Sequence, residues 1–183
     1  MTGLVQDLAA RVRRSAPRLG TVRLVLVDGP AGSGKTTLAA GLAAALGGAQ
    51  VVHMDDLYEG WSGLGPALWP RLLAQVVTPL AAGRPGRYQR YDWVDGRFAE
   101  WHDVPVAPAL VIEGVGSAAA PVSSYAVLRV WVEAPPDERL RRGLERDGEA
   151  MREQWLAWQD REAAHFARDR TRSRADVVVD GTA

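Results

Sequence analysis

Val22-Arg-Leu-Val-Leu-Val27 has the pattern of a buried strand and runs almost directly into Gly29-Pro-Ala-Gly-Ser-Gly-Lys-Thr36. Leu38, Leu42 and Leu46 follow at i, i+4 spacing, so the loop opens a helix over Gly34 to Leu46. Strand, glycine-rich loop and helix in this order set the start of an α/β domain. The loop matches G-x-x-x-x-G-K-[ST], the Walker A or P-loop pattern. Lys35 within it is the only lysine of the chain, and the other 21 basic side chains are arginine. A compact ammonium on a flexible stem fits between the β- and γ-oxygens of a wrapped triphosphate, where a planar guanidinium does not. Gly29, Gly32 and Gly34 allow close backbone approach, and the N–H groups of the loop, Ala31 and Ser33 included, are expected to face the anion with the helix N-terminus. Thr36 is expected to offer its hydroxyl to Mg²⁺ and Thr37 to reach the α-phosphate. A nucleotide-binding loop is the reading.

A chain of 183 residues is long enough for one full core, so a single domain over 1–183 is expected. The 22 basic and 22 acidic residues cancel, leaving no global field to recruit nucleic acid or an anionic membrane. Cysteine is absent, which excludes disulfides, thiolate nucleophiles and Cys-ligated metals. The longest uncharged stretch, Thr36 to Met54, contains glycines and polar residues and reads as a buried helix and strand. Leu4, Val5, Leu8 and Val12 predict an amphipathic N-terminal helix without the apolar core of a signal peptide. A cytoplasmic location is expected, and homo-oligomerisation stays open.

Short apolar runs alternate with helical patterns, which indicates a mainly parallel sheet. Further strands are expected at Gln50–Met54, Leu110–Ile112, Leu128–Val132 and Asp176–Val179. Pro66 to Ala82 reads as helix, interrupted near its end by Pro79. Asp95-Gly96 predicts a two-residue hairpin between Arg87–Val94 and Arg97–Val104, with Trp93 facing Phe98 and Tyr91 facing Glu100. A charged helical region is expected from Pro136 to about Arg172.

Asp55 and Asp56 end the second strand, where ligands bind in open α/β sheets. A carboxylate there can take a proton from a substrate hydroxyl or bind Mg²⁺, and Asp56 reads equally well as a helix cap. Glu113 follows Leu110-Val-Ile112 as the acid of a Walker B strand does. Gly114 occupies the next position, so a single carboxylate favours transfer to a substrate over hydrolysis. Arg139, Arg142 and Arg146 fall on one helical face and are expected to bring at least one guanidinium to the phosphates. Tyr58, Trp61, Tyr91 and Trp93 are candidates for a pocket that stacks a planar ring, with Arg90 and Asp92 adding polar contacts. Trp155, Trp158 and Phe166 are expected in the core, and His53, His102 and His165 receive no role.

The ordered set resembles the uridine kinase and phosphoribulokinase group of P-loop kinases. The pieces are the Gly29–Thr37 loop, His53-Met-Asp-Asp-Leu-Tyr58, Arg90-Tyr-Asp-Trp93, Leu110-Val-Ile-Glu-Gly114, the Arg139–Arg146 helix and Ala175-Asp-Val-Val-Val179. The resemblance spans Val22 to Asp180. It implies a three-layer α/β/α P-loop NTPase fold with a five-stranded core, a small substrate-side hairpin and a short arginine-bearing lid. It implies ATP and Mg²⁺, with Asp55 as general base near a metal also approached by Thr36 and Glu113. Tyr58 and Tyr91 would contact the acceptor, and Arg142 and Arg146 would serve the lid. Gly96 stands where uridine kinases carry a pyrimidine-contacting histidine, and the lid is short at Arg146-Asp-Gly148. The expected activity is transfer of the γ-phosphoryl group to a small-molecule hydroxyl, a nucleoside among the acceptors. A nucleotide-dependent switch is the alternative, although a guanine-reading Asn-Lys-x-Asp motif would require a second lysine.

Overall fold

A computed structural model describes residues 2–182. In chain order the elements are α1 (Thr2–Arg14), β1 (Arg23–Asp28), α2 (Lys35–Ala45), β2 (Gln50–His53), α3 (Leu68–Leu72), α4 (Thr78–Ala81), β3 (Gly86–Asp92) and β4 (Arg97–Val104). Then come β5 (Ala109–Glu113), α5 (Ala120–Ser123), β6 (Ala126–Glu133), α6 (Pro136–Asp147), α7 (Arg152–Asp169) and β7 (Val177–Asp180).

Five strands form one sheet in the order β2-β5-β1-β6-β7, and every pairing is parallel. β1 lies at its centre and is buried on both faces, which is why its sequence is a continuous apolar run. Val25 and Val27 face α1 and α2, packing with Leu8, Val12, Leu38 and Leu42. Leu24 and Leu26 face the other way, toward Leu72, Val76, Leu80 and Trp158. The two faces of one strand thus seed two cores, and the three expected layers result. The strand register aligns Glu113 of β5 with Val27 of β1 and His53 of β2. The P-loop, the turn carrying Asp55 and the end of β5 therefore meet at the carboxyl edge of the sheet.

Two local expectations need correction. The hairpin strands stop at Asp92 and Arg97, so residues 93–96 make the turn and Tyr91 pairs with Phe98. The Asp92 carboxylate accepts the backbone N–H groups of Val94 and Asp95, both at 3.0 Å, and this side-chain turn prevails over the Asp95-Gly96 signal. Pro79 does not break its helix, because α3 and α4 join through a π-helical turn at Leu73–Val77. Such a turn shifts the carbonyl register where the proline has no N–H to give. The charged region after Pro136 is divided at Gly148, whose φ of 94° ends α6 before a short turn leads into α7.

Candidate active site

The P-loop encloses one side of a cavity of about 410 Å³, with Gly32, Gly34, Lys35, Thr36 and Thr37 on its wall and Arg142 and Arg146 opposite. The Lys35 ammonium donates to the Pro30 carbonyl at 2.9 Å, folded over its own loop. Gly29 and Ser33 form the back of the loop: the Gly29 N–H goes to Asp28 Oδ1 at 2.7 Å, and Ser33 is fully buried. Ala31 gives its N–H to Glu162 Oε2 at 2.8 Å, away from the expected anion. Gly32 has a φ of 78°, and a Cβ there would lie 2.6 Å from the Arg139 carbonyl oxygen, so the loop is seated directly on α6.

A second cavity of about 550 Å³ adjoins the first and shares Gly32, Lys35, Thr36, Arg146 and Trp155 with it. Asp55, Asp56 and Glu113 line it, with Glu113 buried, Asp56 half-buried and Asp55 reaching solvent. Among the described residues no protein group donates to the Asp55 carboxylate, whereas Asp56 accepts from the Tyr88 hydroxyl at 2.9 Å. The walls around Asp55 raise its pKa above the usual carboxylate value, Glu113 adds to the rise, and Lys35, Arg146 and His53 oppose it. Asp56 is not a helix cap: the turn Met54–Asp56 begins after His53.

Glu113 receives the Thr36 hydroxyl at 3.2 Å and lies 2.7 Å from His53 Nδ1. That hydrogen bond raises the pKa of His53, a residue without an expected role that proves to orient Glu113. Its clue lay in the register, since β2 ends level with β5. Thr36, Asp55 and Glu113 present a hydroxyl and two carboxylates, hard oxygens that suit Mg²⁺. Among the described residues no three His, Asp or Glu side chains converge as a ready-made cage. Mg²⁺ typically keeps water and phosphate oxygens in its shell, so this sparse donor set fits it.

Tyr58, Arg90, Tyr91 and Trp93 all line the second cavity, together with Trp61, Trp155 and Trp158. Tyr58 is buried and its hydroxyl donates to the Val115 carbonyl at 2.7 Å, so the ring edge, not the hydroxyl, is what it can offer. Trp61 packs edge-on against Trp93, Trp155 and Trp158 at centroid separations of 5.6, 6.2 and 6.1 Å. Arg90 is held by Glu100 at 2.5 Å and Asp92 at 3.0 Å. Asp92 serves the hairpin turn and does not line the cavity, contrary to its expected contact with the acceptor. Trp155 and Trp158 are buried as expected and also wall the site.

The three arginines of α6 separate by partner. Arg142 donates to the carbonyls of Gly32 and Gly181 at 3.2 and 3.1 Å and faces the first cavity. Arg146 lines both cavities, paired with Asp147 at 2.7 Å and set over the Trp155 ring at 5.6 Å. Arg139 lines neither: its guanidinium is spent on Glu162 at 2.6 Å and on the carbonyls of Ala134 and Ala31. It holds the loop from behind, so the expectation that it meets the nucleotide is corrected.

No protein-family model matches the chain, and no curated protein matches it in sequence. Solved structures do. A protein described as a possible uridine kinase from Bacillus stearothermophilus superposes with a TM-score of 0.69 at 22% identity, covering 96% of this chain and 97% of that one. A candidate fructose transport system kinase from Silicibacter sp. TM1040 gives 0.70 at 20% identity, covering 95% and 98%. The chain has the fold of the P-loop kinases. The YGR205w protein shares this fold at a TM-score of 0.57 and 13% identity, covering 88% of this chain and 86% of that one. On this kinase fold, two carboxylates besides Asp55 and Glu113 hold the site and escaped the sequence reading. Asp28 accepts the N–H groups of Gly29, Gly116 and Ala118, joining the P-loop to the loop after β5. Glu162 joins the P-loop to α6. Among the described residues no helix is long and apolar enough to cross a membrane.

Proposed function

We propose that this chain is an ATP-dependent phosphotransferase that moves the γ-phosphoryl group of ATP to a hydroxyl of a small metabolite, with Mg²⁺ as cofactor. The observation that carries this reading is the junction of the two cavities at Lys35, Thr36 and Arg146, with the unpartnered Asp55 carboxylate just beyond it. The P-loop side is shaped for a triphosphate and the aromatic side for an acceptor. Asp55 takes the acceptor proton as the oxygen attacks the γ-phosphorus in line, and the bond to the β–γ bridging oxygen breaks to release ADP. Lys35 swings from the Pro30 carbonyl to the phosphates, and Arg146 and Arg142 meet the equatorial charge. Mg²⁺ supplies charge neutralisation of the triphosphate when bound at Thr36, Asp55 and Glu113. Closure of the 146–151 segment excludes water from the transfer.

The acceptor cavity supports a finer reading. Its arginines are already ion-paired, Arg90 with Glu100 and Asp92, and Arg146 with Asp147. Asp55, Asp56, Glu113 and Asp147 also face it, so among the described residues a phosphate or carboxylate on the acceptor would meet no free cation besides Lys35, which the nucleotide takes. An uncharged hydroxyl compound with a flat ring, such as a nucleoside, suits the tryptophan walls. Gly96 lies in the hairpin turn with a φ of 65°, so no side chain there reads a pyrimidine. The test is ADP release from Mg·ATP with nucleosides, pentose phosphates, pantothenate and other small alcohols. Strong stimulation by one uncharged compound, with its phosphorylated product by mass, is expected. Slow release indifferent to every acceptor would leave a nucleotide-binding module in place of a kinase.

A further inference from the structure

Trp155, Trp158 and Glu162 fall at i, i+3 and i+7 on α7 and so share one helical face. The first two wall the acceptor cavity, and the third ends beneath the P-loop. Glu162 is 1% exposed, yet both of its oxygens are engaged: Oε2 by the Ala31 N–H at 2.8 Å and Oε1 by Arg139 at 2.6 Å. Arg139 in turn donates to the Ala31 carbonyl at 3.4 Å. Ala31 is thereby gripped through its N–H and its carbonyl, immediately before Gly32, whose backbone rests on that of Arg139. Burying an ion pair is poor support for stability, since an apolar replacement of similar volume often serves as well. What an apolar pair could not do is hold one residue of a phosphate-binding loop at both of its flanking peptides by two directed hydrogen bonds.

We propose that Glu162 is a positioning residue that couples the acceptor wall to the P-loop, so that occupancy of either cavity changes the other. A shift of α7 around a bound ring moves Trp155 and Trp158, and through Glu162 the Ala31–Gly32 turn. By reciprocity, nucleotide binding stiffens α7. This inference rests on the reading of the P-loop as a nucleotide site and needs no knowledge of the acceptor.

Hydrogen exchange of the full chain, followed by mass spectrometry with and without Mg·ATP, tests it. In the wild type, Mg·ATP is expected to slow exchange in the P-loop and α2, and also in residues 155–162 of α7, there by about fivefold or more. In Glu162→Gln the α2 response remains and the α7 response disappears. Glu162→Asp keeps the charge beside Arg139 but draws it back by one methylene; it covers the case in which the glutamine variant does not fold, and the same loss is expected. A role confined to stability would speed α7 exchange equally in both states and preserve the Mg·ATP-dependent difference. That result overturns the proposal, as does a wild type in which α2 responds and α7 does not. No response anywhere in the wild type instead refutes the nucleotide site itself, and the coupling falls with it.

Discussion

The indole N–H of Trp93 donates to the backbone carbonyl of Asp55 across 3.0 Å. The tip of the β3–β4 hairpin is thus fastened to the turn that carries the proposed base, and both line the second cavity. Trp93→Phe keeps a ring at the tip and removes this bond, worth about 1 kcal/mol. The expected effect is a fall in kcat/KM for the acceptor of about fivefold, with KM for ATP unchanged. Steady-state kinetics varying each substrate in turn separates the two, and an equal rise in both KM values would place Trp93 outside the acceptor site.

Asp55→Asn preserves size and removes the base. Turnover is expected to fall by about a hundredfold or more. Binding of Mg·ATP, read by calorimetry, should persist, weakened by the carboxylate lost at the metal, because Lys35, Thr36, Glu113 and the loop N–H groups are untouched. Undiminished turnover would take Asp55 out of the role, and Glu113, already bonded to Thr36 and His53, would be the next candidate.

Asp28 gives a pH-dependent prediction. Burial lifts its pKa from 3.8 to about 6, outweighing the three N–H groups it accepts and the nearby Lys35 charge. The folded state therefore holds the Asp28 proton more tightly than the unfolded chain does. Its contribution to stability is full below the unfolded value of 3.8 and is lost as pH rises through about 6. Asp28→Asn has no such titration, so the wild type should gain on the variant by about 2 kcal/mol between pH 7 and pH 4. Denaturant midpoints across that window decide it, and a constant gap between the two proteins would refute the assignment.

The β1–P-loop–α2 unit was legible because each of its signals is local: an apolar run, a fixed glycine spacing, then leucines at helical intervals. The placement of Asp55 and Glu113 followed, since Glu113 ends β5 and Asp55 lies in the turn directly after β2 of the same parallel sheet. What could not be read was partnership across the chain. Arg139, Arg142 and Arg146 share a spacing, and only the position of Glu162 on a later helix decides that the first of them turns away from the nucleotide. Asp28 finds two of its donors at Gly116 and Ala118, beyond two intervening strands of the sheet and the hairpin. The hairpin register failed for a local reason, because Asp92 caps a turn that Asp95-Gly96 was expected to make.

The lid is set by a contact that a single methyl group disturbs. A Cβ at Gly143 of α6 would stand 2.4 Å from the Trp155 indole, which is 2% exposed, anchors its N–H on Asp147 at 3.0 Å and lies beneath the Arg146 guanidinium. Gly143→Ala gains about 1 kcal/mol of helix propensity, but overpacking a fixed ring typically costs about 1–3 kcal/mol. The second effect should prevail, because the ring is enclosed by Trp61 and held at its nitrogen. The melting temperature is expected to fall by a few degrees, about 2–4 °C for each kcal/mol in a chain of this size. Displacing Trp155 also displaces Arg146, so kcat should drop by about tenfold while Mg·ATP binding at Lys35 and Thr36 changes little. A more stable variant with undiminished turnover would show that Trp155 moves aside freely and does not aim Arg146.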